Sequence, residues 1–185
     1  MKTGWLVLAW LAAGTSASAQ ELQNFSFRQL NSAFTYDAAT KAGLLDPRCM
    51  QGTEPLGGGR MRTIHQCLTV PGVFGSVVGA IPLRWSQATF DQVGFIGYSF
   101  SVFGQSYPAL RNVLIEKYGQ PCGEREGIAK TYGTQAPLKQ HLTDWCFKDG
   151  ALTLADRANA NPEEANATYK AYRWTRNEPL PNVDF

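Results

Sequence analysis

The sequence predicts an α+β domain in which an antiparallel, strongly twisted sheet carries one principal helix and one minor helix packed on one face, stabilised by disulfides. Three observations carry that prediction. Residues 93–122 read as a strand, a sharply delimited helix and a stop signal. Short runs of alternating apolar residues, separated by turn residues, recur on either side of that stretch. Four cysteines, Cys49, Cys67, Cys122 and Cys146, stand in a chain that begins with an export leader.

The leader comes first. Lys2, the apolar run Trp5 to Ala13 and the small residues Ala17-Ser18-Ala19 describe a cleavable secretory signal over 1–19, with cleavage expected after Ala19. The apolar run is shorter than the roughly 20 residues of a spanning helix. Residues 20–178 are therefore expected to form a single domain, exported to the periplasm or secreted, with 179–185 as a flexible tail around Pro179-Leu180-Pro181. The mature chain is not expected to insert into a membrane. Removing Lys2 with the leader leaves 16 basic against 15 acidic side chains. Such balance offers no reason to expect nucleic acid as a partner.

Past the leader, Thr35 or Asp37 is placed to cap the minor helix, which runs through Ala38, Ala39, Lys41 and Ala42 and ends by Asp46-Pro47. Residues 51–60, with Gly57, Gly58 and Gly59, read as a loop. They lack the Lys-Ser/Thr of a phosphate-binding loop. Met61 to Val70 alternates as a strand, with Ile64, Leu68 and Val70 on one side. Val73 to Leu83 reads as a second strand, bulged at Gly79 and Pro82. In the central stretch Ile96, Tyr98, Phe100 and Val102 share one face. Ser106 is the predicted N-cap of the principal helix, Pro108 fits its first turn, and Leu110, Val113, Leu114 and Tyr118 form its apolar stripe. Gly119 and Pro121 stop it. Thr143 to Phe147 and Ala151 to Ala155 flank Lys148-Asp149-Gly150 as a hairpin, and Ala167 to Trp174 is the last strand.

An even cysteine count in an exported chain reads as disulfides. Three pairings are open; Cys49–Cys67 with Cys122–Cys146 is favoured because each pair closes a loop within its own half. The cysteines lack the short paired spacing of zinc sites.

The apolar strand, Phe103, the capped helix with Leu114, Lys117-Tyr118-Gly119-Gln120-Pro121 and Trp145 before an Asp-Gly hairpin together resemble a pattern of small exported bacterial proteins of uncharacterised function. The two cysteine-bearing halves are also loosely similar to the repeats of β-lactamase-inhibitory proteins. That resemblance implies a curved sheet used for binding. It does not imply inhibition of a β-lactamase, because the two halves differ in length.

No catalytic residue, metal ligand or cofactor site is assigned. His141 and Asp144, with Ser99, Ser101 or Ser106, are the materials for a small envelope hydrolase, but there is no Gly-x-Ser-x-Gly elbow. His65 and His141 lack metal-ligand spacing, and Glu124/Glu126 and Glu163/Glu164 fall in loop-like sequence. The aromatics are the stronger signal. Trp145 and Phe147 share one strand face, Tyr172 and Trp174 another, and the four are candidate binding residues on a sheet face left open by the helices. The competing reading is that they close the core. The function these features favour is that of a non-enzymatic interaction protein binding another protein or an envelope component. The alternatives are the hydrolase and a carrier of a small apolar ligand.

Overall fold

The computed structural model describes residues 22–55, 61–70, 77–129, 138–157, 161 and 163–174. The expected leader, the glycine loop at 57–59, residues 71–76 and the tail lie outside these residues. A small hairpin, β1 (Ser26–Phe27) and β2 (Leu30–Asn31), precedes α1 (Tyr36–Lys41). Next come β3 (Met50–Pro55), β4 (Met61–Leu68), a second small hairpin of β5 (Val77–Val78) and β6 (Ile81–Pro82), then β7 (Trp85–Phe90) and β8 (Phe95–Phe103). A 3-10 turn (Gly104–Ser106) leads into α2 (Tyr107–Tyr118), followed by β9 (Gly123–Ala129), β10 (Leu138–Cys146), β11 (Gly150–Ala155) and β12 (Glu164–Ala171).

The main sheet is open, has eight strands in the order β3-β4-β7-β8-β12-β11-β10-β9, and is antiparallel throughout. It consists of two four-stranded meanders joined along β8 and β12. After β8 the chain returns through α2 to the far edge, and the second meander then works inward. Each meander has its own disulfide, Cys49–Cys67 at the β3–β4 edge and Cys122–Cys146 at the β9–β10 edge. Two disulfides point to an oxidising, extracytoplasmic environment. Among the described residues no helix is long and apolar enough to cross a membrane.

Both helices cover one sheet face, and the core lies between. Ile96, Tyr98, Phe100 and Val102 of β8 are buried as their alternation predicts. The strand starts at Phe95, not Val93, because Asp91 closes a turn: its Oδ1 accepts from the Val93 and Gly94 amides at 2.9 Å each. Gly94 takes φ 155°, where a Cβ would stand 3.0 Å from the Phe34 carbonyl oxygen. A register shift between Thr89 and Phe90 then turns Phe95 toward the core, stacked in line with Phe25 and Tyr169. Phe25 and Tyr169 are in face contact, with centroids 3.8 Å apart.

Helix α2 ends as expected, with Gly119 at φ 84° donating its amide to the Ile115 carbonyl. Its start differs. The chain passes from the 3-10 turn straight into the helix, so Ser106 already has helical backbone and its hydroxyl makes no capping bond. Thr35 caps α1 through the Ala38 amide at 3.1 Å, and that helix ends at Lys41 with Gly43 at φ 66°, earlier than Asp46-Pro47.

The sheet departs from the sequence reading in several strands: β7 has no counterpart in that reading, and the last strand is Glu164–Ala171 and not Ala167 to Trp174. Residues 51–55, expected as loop, form edge strand β3 together with Met50, and Pro55 is tolerated at its last position. Of the single strand expected over 73–83, residues 73–76 lie outside the described residues and 77–82 form the β5–β6 hairpin, turned at Gly79 with φ 60°. Glu124 and Glu126 lie in β9, not in a loop.

The core phenols make a prediction. Burial raises the pKa of Tyr98, Tyr118 and Tyr169 above the ordinary value of 10.0, and the Asp149 carboxylate opposes ionisation of Tyr169 further. A raised folded pKa means that stability is full below the unfolded value and falls as pH climbs past it. In an alkaline titration, the share of the phenolate absorbance that these three of the seven tyrosines contribute should therefore appear only above about pH 10, in step with loss of the near-UV circular dichroism signal. Ionisation of these phenols while tertiary structure persists would contradict their burial.

Candidate binding face on the open side of the sheet

The face opposite the helices is built by the alternate residues of every strand. In β8 these are Gly97, Ser99, Ser101 and Phe103; across from them stand Lys170, Thr168, Asn166 and Glu164 of β12 on one side. On the other side stand Thr89, Gln87 and Trp85 of β7. Thr153 of β11 lies opposite Thr168, and Asp144 of β10 opposite Thr153. The floor is held by side-chain hydrogen bonds. Ser99 Oγ donates to Thr168 Oγ1 at 3.2 Å, and Thr153 Oγ1 donates to Asp144 Oδ1 at 2.6 Å.

Two indoles lie over this floor. Trp85 reaches across β8 to donate its Nε1–H to Glu164 Oε1 at 2.9 Å, and the Ser101 hydroxyl beneath it donates to the same oxygen. Trp174 folds back after β12 and donates its Nε1–H to Glu54 Oε2 at 2.8 Å. Arg62, almost fully buried, donates to that carboxylate at 2.9 Å and to the Trp174 carbonyl at 3.1 Å. The Trp174 ring occupies the space over Gly97; any Cβ at that position would fall within the ring. Glycine is thus required at 97 by close approach rather than by backbone conformation.

A second feature crosses the same face. Met50 (64% exposed), Leu68 (51%), Trp85 (37%) and Phe103 (49%) come one each from β3, β4, β7 and β8. Met50 pairs with Gln66, Leu68 with Gln87, and Trp85 with Ser101. Each apolar residue therefore stands diagonal to the next, two positions further along the adjacent strand. The result is an oblique apolar stripe across four strands. Three ion pairs lie around the face, Arg84 with Glu164 at 3.4 Å, Arg62 with Glu54 at 2.9 Å, and Arg125 with Asp144 at 3.0 Å, while Lys170 lies over the Trp174 ring. Arg84 also stacks on the Phe103 ring.

The four aromatics proposed from sequence do not share a surface. Trp145 and Phe147 are core residues, 2% and 5% exposed. Trp145 donates its Nε1–H to the Gly119 carbonyl at the end of α2, and Phe147 packs edge-on to Phe25 and Tyr118. Alternation groups residues by face but does not say which face the helices cover, and here they cover the side bearing Trp145. Tyr172 and Trp174 lie beyond β12 in a turn and share no strand face. Trp174 is on the open face; Tyr172 is half-buried, its amide bonded to the Asp149 carbonyl.

The hydrolase constellation is separated. Residues three apart on a strand point to opposite faces, so His141 lies on the helix side while Asp144, on the open side, binds Arg125 and Thr153. His141 Nε2 is 3.7 Å from Glu124 Oε2. Glu124 is itself paired with Arg111, whose hydrogen bond is the main cause holding its carboxyl below the usual range. His65 stacks on Tyr36 with centroids 4.1 Å apart. Ser101 is covered by Trp85 and Glu164, and Ser99 is bonded to Thr168, so neither serine faces a histidine. Among the described residues no group of three His, Cys, Asp or Glu side chains is arranged to hold a metal ion. The chain matches no protein-family model, no curated protein and no solved structure.

Proposed function

We propose that the protein is an exported interaction protein, periplasmic or secreted, that binds another protein or a cell-envelope component with the open face of its sheet. The observation that supports this reading most is the oblique stripe of Met50, Leu68, Trp85 and Phe103. Four large apolar side chains aligned across four strands are costly to leave in water, and aligned exposure of this kind marks interaction surfaces more than scattered exposure does. The stripe includes a tryptophan and is flanked by Arg84, the residue types that dominate binding energy when they are desolvated. The two disulfides fit an extracytoplasmic site of action.

The test places a photoreactive phenylalanine analogue at Leu68 or Phe103, with Asn112 on the exposed side of α2 as control, in the full-length precursor expressed in its native host. Irradiation should yield adducts of the mature protein from both face positions and none from Asn112. Absence of adducts from the face, or equal adducts from Asn112, would overturn the reading.

A further inference from the structure

We infer that the occupant of this face is an uncharged glycan, seated along the row of Gln87, Ser99, Thr168 and Thr153 between the Trp85 and Trp174 indoles. The inference rests on the binding role proposed for the open face and adds the chemistry of its ligand.

Four properties of the face select that chemistry. First, the two indoles lie over Ser101 and Gly97 of one strand, four residues or about 14 Å apart, with Ser99 the one residue of that strand between them on this face. Second, each indole N–H is already bonded to a carboxylate, Trp85 to Glu164 and Trp174 to Glu54. The N–H groups are committed to holding the rings in place, so what the indoles can offer a ligand is their apolar carbon surface; Trp85 is exposed, while the half-buried Trp174 ring lies on Gly97 with the Arg62 guanidinium 6.0 Å from its centroid. Third, the half-buried floor is made of neutral short hydrogen-bonding groups: the amides of Gln87 and Asn166, and the hydroxyls of Ser99, Thr168 and Thr153. Fourth, the carboxylates and guanidinium groups at its rim neutralise one another in the three pairs Arg84–Glu164, Arg62–Glu54 and Arg125–Asp144. Lys170 lies over the Trp174 ring, at 5.9 Å from its centroid.

An uncharged polyol matches each of these. A pyranose ring with equatorial substituents presents an apolar C–H face, which an indole can cover, and an edge of hydroxyls, which amides and hydroxyls can bond as both donors and acceptors. An extended peptide fits less well. Within the face the strand N–H and C=O groups are spent in the ladders, so a peptide backbone would lie against side chains that offer it no strand pairing. An anionic polymer would find the three guanidinium groups of the rim already paired, which leaves Lys170, over the Trp174 ring, to meet it.

Calorimetric and tryptophan-fluorescence titrations with β-1,4-linked hexasaccharides of glucose and of N-acetylglucosamine test the inference on the oxidised mature protein. Saturable binding to at least one is expected, weakened about 10-fold or more by Trp85→Ala and by Gln87→Ala. Gly97→Ala should weaken it as well, by pushing the Trp174 ring off its seat. Thermal unfolding of each variant checks that the fold is kept, and Ser99→Gln, which fills the floor without touching either indole, should block binding if the other variants are unstable. No saturable signal at about 5 mM sugar, or binding indifferent to these substitutions, overturns the inference. Protein adducts from Leu68 and Phe103 without sugar binding would leave the binding role standing and remove the glycan alone. Failure of both experiments would remove both.

Discussion

Loss of both disulfides is expected to cost the fold about 6 kcal/mol, roughly 3 from each, since the closed loops span 18 and 24 residues. Set against the roughly 5–15 kcal/mol of a typical domain, this takes away much or all of the margin. Urea unfolding of the oxidised protein, the reduced protein and the two Cys→Ala pair variants measures it. The single-pair variants should each show a clear fall in midpoint, and the reduced protein a fall of about the two combined. A reduced protein that keeps its midpoint would show that strand pairing and core packing secure both sheet edges unaided. The position of the bridges gives the effect its size. Each lies at an outermost strand pair, where a neighbour is present on one side only and fraying begins.

The second large effect is expected from Trp145→Ala. The side chain is 2% exposed and links β10 to the end of α2 through the Gly119 carbonyl. Truncation leaves a cavity the size of an indole and an acceptor without its donor, for a loss of about 3–5 kcal/mol. Trp85→Ala, on the open face, should cost about 1 kcal/mol or less in the same denaturant experiment. Similar losses from the two would mean that Trp85 carries core weight and is not held out for a ligand. The contrast matters because sequence ranks these residues the other way round, with Trp145 as a binding candidate and Trp85 unremarked.

That reversal shows what was legible. β8, α2 and the β10–β11 hairpin could be read because each has an uninterrupted apolar period and a stop made of glycine or proline. The disulfide pairing could be read from locality alone. β3 and β9 could not, because edge strands with Met-Gln-Gly-Thr-Glu-Pro and Gly-Glu-Arg-Glu-Gly-Ile bury little on either face and so leave no alternation to find. β7 escaped for a different reason: the residues it turns to the core include Ser86 and Ala88, too small or too polar to register as a hydrophobic face. The binding face was hidden with them. Its stripe takes one residue from each of four strands, two of which were not recognised as strands. Trp85 between Arg84 and Ser86, with Gln87 and Thr89 alternating after it, was the available signal.

The two-meander plan bears finally on the order in which the protein can be made. Within each half the sheet neighbours are also neighbours in sequence, and each half contains both cysteines of its own bridge. Among the strand pairs of the main sheet, β8–β12 alone joins strands remote along the chain, and the contacts of Phe25 with Asp149 and of Trp174 with Glu54 tie the same two halves. Loop-closure entropy favours the short-range thiol encounters, so the first bridge can form while the second half is still unstructured. By then its two thiols are no longer exposed to exchange with the later pair. Fusing the halves along β8 and β12 is left as the late, slow event of assembly, and with it the floor of the open face, whose central row runs across that seam.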